Sequence, residues 1–210
     1  EDTRLGLDTT EGQRAAEVIQ ELASSGAVGP ALSSMTETTS LNMFQDEATS
    51  GFMLNWMYVY AAMKENDLSF FDDIGWTTYP RVDADKEAAP PFGGIELGVN
   101  TASQHKDEAW QAISCITSAE HQKEYMLGTG NAASRSSVFD DPEIAEQFPM
   151  ADVFRESLNN AVQRPRTAYY GDLSTAVQRT WSPPEQVDPS RTPAESTELI
   201  MKVLRGEALL

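Results

Sequence analysis

The sequence predicts a helix-rich α/β fold with few strands. Apolar residues recur at helical spacing along most of the chain, and Gly, Pro and capping residues punctuate them. Only three short runs, 51–56, 74–79 and 93–99, are apolar or β-prone enough to read as strands. The last third is entirely helical in pattern, and the chain shows no repeat and no low-complexity segment.

The elements follow in order. Thr10-Glu11-Gly12-Gln13 fits a capping box, in which the Thr and Gln side chains satisfy free backbone donors. Ala15, Val18, Ile19 and Leu22 follow at helical spacing, with Gly26 as the stop. A short helix is expected over 41–45. Gly51-Phe52-Met53-Leu54-Asn55-Trp56 reads as a buried strand that feeds a helix from Tyr58 to Lys64. Ile74-Gly75-Trp76-Thr77-Thr78-Tyr79 is β-prone and is closed by Pro80; an acidic loop then runs to Pro90-Pro91. Gly93 to Val99 alternates well enough for another strand. Lys106 to Ile116 is helical, with Ala109, Trp110, Ile113 and Ile116 on one face. Ser118 caps the next helix, which is expected to stop at Gly128. Asp141-Pro142 is a cap with Pro at the first helical position. Met150, Val153, Phe154, Leu158 and Ala161 give one helix face, and Leu173, Val177 and Trp181 another. Ser182-Pro183-Pro184 breaks the latter, and Thr192-Pro193 opens a final helix with Leu199, Ile200, Val203 and Leu204 inward.

Composition narrows the partners. The 210 residues are 40% apolar, with 4 Trp, 6 Tyr and 8 Phe, enough for a packed core and too aromatic for a disordered chain. A net charge of -18, spread along the chain, leaves nothing to neutralise phosphates, so nucleic acid is excluded as a partner and an anionic membrane surface is disfavoured. No apolar run approaches the roughly 20 residues of a membrane span. The opening Glu1-Asp2-Thr3-Arg4, with neither Met nor leader, is what a piece of a longer chain would show. Cys115 has no partner for an internal disulfide, and its place in an apolar helical pattern predicts a buried, inert thiol.

The residues of common chemistries are missing in their required patterns. His105 and His121 lie in no metal-ligand spacing, and no Cys-x-x-Cys or EF-hand loop occurs, so neither metal nor cofactor is expected. Gly93-Gly94 is no phosphate-binding fingerprint, and there is no Gly-x-Ser-x-Gly elbow. Paired carboxylates for glycoside hydrolysis are not a discriminating criterion in a chain with 33 acidic residues.

Three stretches read together resemble the family 1 extracellular solute-binding proteins. Phe44-Gln45-Asp46-Glu47 followed by GFMLNWMYVYAAM is similar to that family's short helix, strand and aromatic turn. PPFGGIELGVNTASQHKDEAWQAISCITSAEHQKEYML is similar to its crossing strand and helix pair, and RPRTAYYGDLSTAVQRTW to its late loop and returning helix. The order holds across nearly the whole chain. The resemblance implies the C-terminal lobe and crossing segment of a type II periplasmic-binding-protein fold. Residues 1–80 would form the first part of the C-terminal lobe, 81–131 would cross into the N-terminal lobe, and 132–210 would return; the parent's N-terminal half would lie outside this chain. It implies a binding component of an ABC sugar importer, not an enzyme. Its partners would be a sugar and the importer's membrane subunits, and its place extracellular, with membrane contact only through a lipid anchor on the missing N-terminus.

Within the family, the trehalose-binding lipoproteins of mycobacterial type are the nearest in pattern. They have a Glu before the short helix, a Trp after an Asn, a Gly-Gly-hydrophobic turn and an Arg-Pro. The matching positions are Glu37, Trp56 after Asn55, Gly94 with Ile95, and Arg164 before Pro165, and Cys115 falls at a helix cysteine of that group. The spacing departs from theirs between Phe44 and Trp56 and again before the Gly-Gly turn, which leaves the sugar open between trehalose, a maltose-type ligand and another glycoside. The residue types suit a sugar. A ring covers its C–H face, while Glu and Arg engage adjacent hydroxyls with charge-assisted hydrogen bonds. Read without the resemblance, a Trp after an apolar run is core, Arg164 beside Pro165 caps a helix, and Glu37 is surface. A glycoside-processing enzyme and an adaptor domain that takes no small ligand are the readings from other classes.

Overall fold

Local hydrogen bonding closes nearly all the regular structure, as the dominance of helical periodicity requires. The computed structural model describes residues 5–29, 31–46 and 50–210. The opening Glu1-Asp2-Thr3-Arg4 and Glu47 of the Phe44–Glu47 motif lie outside them. The described residues carry nine α-helices: α1 Thr10–Ser24, α2 Glu37–Gln45, α3 Val59–Glu65, α4 Lys106–Ile116, α5 Ala119–Thr129, α6 Pro142–Gln147, α7 Ala151–Asn160, α8 Tyr170–Trp181 and α9 Thr192–Leu204. They fall into two compact units, Glu1–Thr36 with Pro165–Leu210, and Glu37–Arg164.

The first unit packs α8 on α9, with α1 alongside. Small side chains, Ala176 and Ser196, are fully buried, which lets the two backbones approach. The Thr180 hydroxyl donates to Ser196 Oγ at 2.9 Å, which pairs these two hydroxyls across the contact. The Pro183-Pro184 break behaves as expected, and the turn after it is tied down twice: Asp188 N–H donates to Thr192 Oγ1, and Gln20 Nε2 of α1 donates to Val187 O. The cap of α1 lies one residue before the expected one. Thr9, not Thr10, accepts the Gly12 N–H on its hydroxyl, and the same hydroxyl donates to Gly6 O.

The second unit is organised by an aromatic core. Phe148, Met126, Ile144 and Met63 are fully buried. Tyr60 of α3 meets Phe71, Trp76 and Phe148 with ring centroids 5.3, 5.4 and 5.8 Å away, the Trp76 contact being edge-to-face. Burial raises the Tyr60 phenol's pKa, with Asp72 adding to the shift. Ser118 caps α5 through the His121 N–H, and Asp141 caps α6 through the Glu143 N–H, with Pro142 at the first helical position. α5 runs past Gly128 and stops at Gly130, whose φ of 73° is the left-handed conformation that ends a helix cheaply only at glycine. Gln122 organises the turn after α5: its amide oxygen accepts from Ser134 N–H, Ser134 Oγ and Arg135 N–H, while its amide nitrogen donates to Thr117 O. Lys123 spans Asp141 and Glu143 at 2.8 Å each, and these contacts hold its own pKa up and that of Asp141 down.

The three expected strands are not built. Residues 52–56, 74–79 and 93–99 carry no ladder, and a single parallel bridge, Pro91 to Val162, is the β-pairing among the described residues. Apolar alternation makes a segment suited to a sheet, but a strand exists only where a neighbour supplies the backbone partners. The exposure of Phe52 and Ile95 (84% for Ile95) shows that neither run is buried between layers here.

The expectation of a buried Cys115 is corrected as well. α4 buries no residue, Trp110 is 55% exposed, and Cys115 is exposed, with its sulfur 3.8 Å from His121 Nδ1. The periodicity had identified which side of α4 is apolar, and among the described residues no element buries that side. A thiol reagent should therefore label the native chain at a rate close to that of the unfolded chain. Protection by more than about a hundred-fold would restore the buried reading.

Candidate ligand site

The candidate residues all belong to the second unit. Glu37 is the first residue of α2, a helix that begins a full turn before the expected Leu41; its opening turn, Glu-Thr-Thr-Ser, is polar and carries no apolar periodicity. A carboxylate at a helix N-terminus is electrostatically favoured. Its own backbone N–H, and then the indole N–H of Trp56, hold the Glu37 pKa below the ordinary glutamate value.

Trp56 sits in the turn that enters α3 and is 43% exposed, which removes the core reading of this ring. Its Nε1–H donates to Glu37 Oε1 at 3.4 Å, a long bond, although the two residues are far apart in sequence. The ring's far edge lies over Gly93. A Cβ there would come within 2.8 Å of Cη2 and 3.2 Å of Cζ3, so only glycine admits the indole in this position.

The structure thus brings Glu37 and Trp56 together and sets them beside the Gly-Gly turn. It does so through Gly93, not through the expected Gly94. A Cβ at Gly94 would meet nothing within 4 Å, and Ile95 projects into open space. Arg164 is exposed and is placed by the β-bridge: Phe92 N–H donates to Val162 O at 2.8 Å and Val162 N–H to Pro90 O at 2.9 Å. Because the bridge is parallel, the chains to Gly93 and to Arg164 leave it in the same direction. Sequence reasoning did not single out Gly93 and Asn55, which the structure sets against Trp56. The signals were present in the paired glycines and in an Asn directly before the Trp. An open groove of about 340 Å³ beside α3, lined by residues that include Tyr60, Lys64, Leu127 and Gln147, shares no residue with the five candidates. No group of three or more potential metal ligands occurs among the described residues.

Residues 1–123 match the family described as "Bacterial extracellular solute-binding protein". The chain belongs to that family. Over 176 residues, 82% of the chain, it is 27% identical to a probable ABC transporter-binding protein of Deinococcus radiodurans, of which it covers 41%. It superposes on maltose-bound T. maritima MalE3 with a TM-score of 0.82 at 22% identity, over 97% of this chain and 53% of that one. The solute-binding chain described here therefore spans about half the length, or less, of these relatives. Its fold is the helix-rich α/β fold of part of a periplasmic binding protein.

Proposed function

We propose that this chain forms one wall of the sugar-binding cleft of an extracellular solute-binding protein that delivers its ligand to an ABC importer. The reading rests above all on one observation: an exposed indole hydrogen-bonded to an exposed carboxylate across a loop, with a helix N-terminus behind the acid. The Trp56 ring presents an apolar face for the C–H side of a pyranose. Glu37, whose pKa is held below the ordinary glutamate value, accepts from neighbouring hydroxyls, and Arg164 donates to others. Gly94 and Ile95 border the ligand on the glycine turn. The ligand proposed is a disaccharide, trehalose foremost. Maltose is the second candidate, because the MalE3 neighbour of the same fold is maltose-bound. In the complete protein, residues 81–131 cross into a second lobe that closes on the sugar, and a lipid anchor outside this chain holds the protein at the cell surface. Its role is binding and transfer to membrane subunits, without chemistry on the sugar.

Trp56→Ala in the complete protein is expected to weaken sugar binding at least several-fold by calorimetry, since an aromatic contact contributes roughly 0.5–1.5 kcal/mol beyond area burial. The melting temperature should change little, because the ring is not core. Glu37→Ala and Arg164→Ala should each cost ten-fold or more, on the scale of about 1.5–3 kcal/mol for a charged hydrogen bond. Unchanged affinity in all three variants would remove the site. Sugar converted to products on incubation would put an enzyme in place of a binding protein.

A further inference from the structure

An indole on an exposed loop has two free torsions, and a sugar would meet it in several orientations unless the loop itself is fixed. The 3.4 Å bond from Trp56 to Glu37 is too long to do this alone. The side chain of Asn55 supplies what is missing. Its Nδ2 donates to the main-chain oxygen of Glu37 at 2.9 Å, and its Oδ1 accepts the main-chain N–H of Trp56 at 2.8 Å. The same nitrogen lies 3.5 Å from Met53 Sδ. One planar amide thereby clamps the start of α2 to the backbone that carries the ring.

We infer that Asn55 is the positioning residue of the sugar site, holding the Glu37 carboxylate and the Trp56 ring in register with each other. The inference rests on the proposed roles of those two residues. The chemistry admits few substitutes. The clamp needs a donor and an acceptor on one short rigid group, which asparagine has and aspartate lacks once ionised. The amide's orientation is also determined, since the reverse would set oxygen against the Glu37 carbonyl and NH₂ against the Trp56 N–H. Gly93 limits the ring from its far edge, so the indole is fixed at its backbone, its nitrogen and its rim by three different residues.

The test is a double-mutant cycle in the complete protein, titrated with trehalose and with maltose. N55A is expected to weaken binding of the sugar that the protein takes by roughly five-fold or more. In the E37A background, where the positioned carboxylate is gone, N55A should cost less than about two-fold, because residues acting as a unit are not additive. Equal losses in both backgrounds, or no loss in N55A, would overturn the inference. N55D, which retains the acceptor for Trp56 and loses the donor to Glu37, covers the case of a poorly folded N55A. It should lose affinity similarly, and wild-type affinity in N55D would overturn the clamp. If E37A and W56A themselves leave the affinity unchanged, the sugar reading fails separately. The clamp is then read without sugar from the Trp56 indole N–H resonance, assigned by its loss in W56F. Movement of that resonance in N55A and N55D supports the positioning role, and an unmoved resonance overturns it.

Discussion

Phe148→Ala is expected to destabilise the second unit by about 3–5 kcal/mol, the usual cost of emptying a buried aromatic site. Phe148 has no exposed surface, and its ring meets Tyr60 at 5.8 Å inside the group that also holds Phe71 and Trp76. Met126, Ile144 and Met150 close the same core. The cavity would therefore lie where α3, α5 and the α6–α7 turn converge, and rigid neighbours on every side limit collapse into it. A loss of this size is a large share of a domain's whole stability. Denaturant titration followed by tryptophan fluorescence would read it, because Trp76 belongs to the cluster. A loss below about 1 kcal/mol would show that the core is looser than its burial implies.

The second large effect concerns the isolated chain. These 210 residues are expected to bind sugar about a hundred-fold more weakly than the complete protein, if the proposed two-lobe site is right. The five candidates lie in one unit and offer a single ring and two charged groups, fewer partners than the hydroxyls of a disaccharide. Three missing neutral hydrogen bonds at about 1 kcal/mol each correspond to roughly two orders of magnitude. The isolated chain also exposes Val82, Phe92, Ile95, Leu97, Trp110, Ile116 and Tyr125 over one stretch of sequence, so it should self-associate as concentration rises. Parallel titrations with sedimentation analysis test both points. Equal dissociation constants would mean that this chain carries the whole site, and would refute the second lobe's contribution.

What the sequence revealed follows the range of the physics involved. Helix boundaries are local, and α4 begins and ends at the expected Lys106 and Ile116, as do the Ser118 cap and the Asp141-Pro142 start. α2 began earlier than expected because its first turn is polar, with Glu37 at its start, and offers no apolar spacing to read. The strands depended on partners distant in sequence, which alternation does not supply, and Cys115 depended on what covers α4. The site divided in the same way. Glu37 and Trp56 were singled out by resemblance, as residue types suited to a sugar, but their direct hydrogen bond, the Asn55 clamp and the Gly93 contact are tertiary facts.

The contact between the Trp56 rim and Gly93 links the variation open to two positions. Any side chain introduced at position 93 forces the indole rim to shift, whereas a smaller residue at position 56 leaves room there for a Cβ. Under the proposed sugar site, a change at position 93 therefore acts through the ring while Trp56 is present, and acts on its own only after position 56 has shrunk.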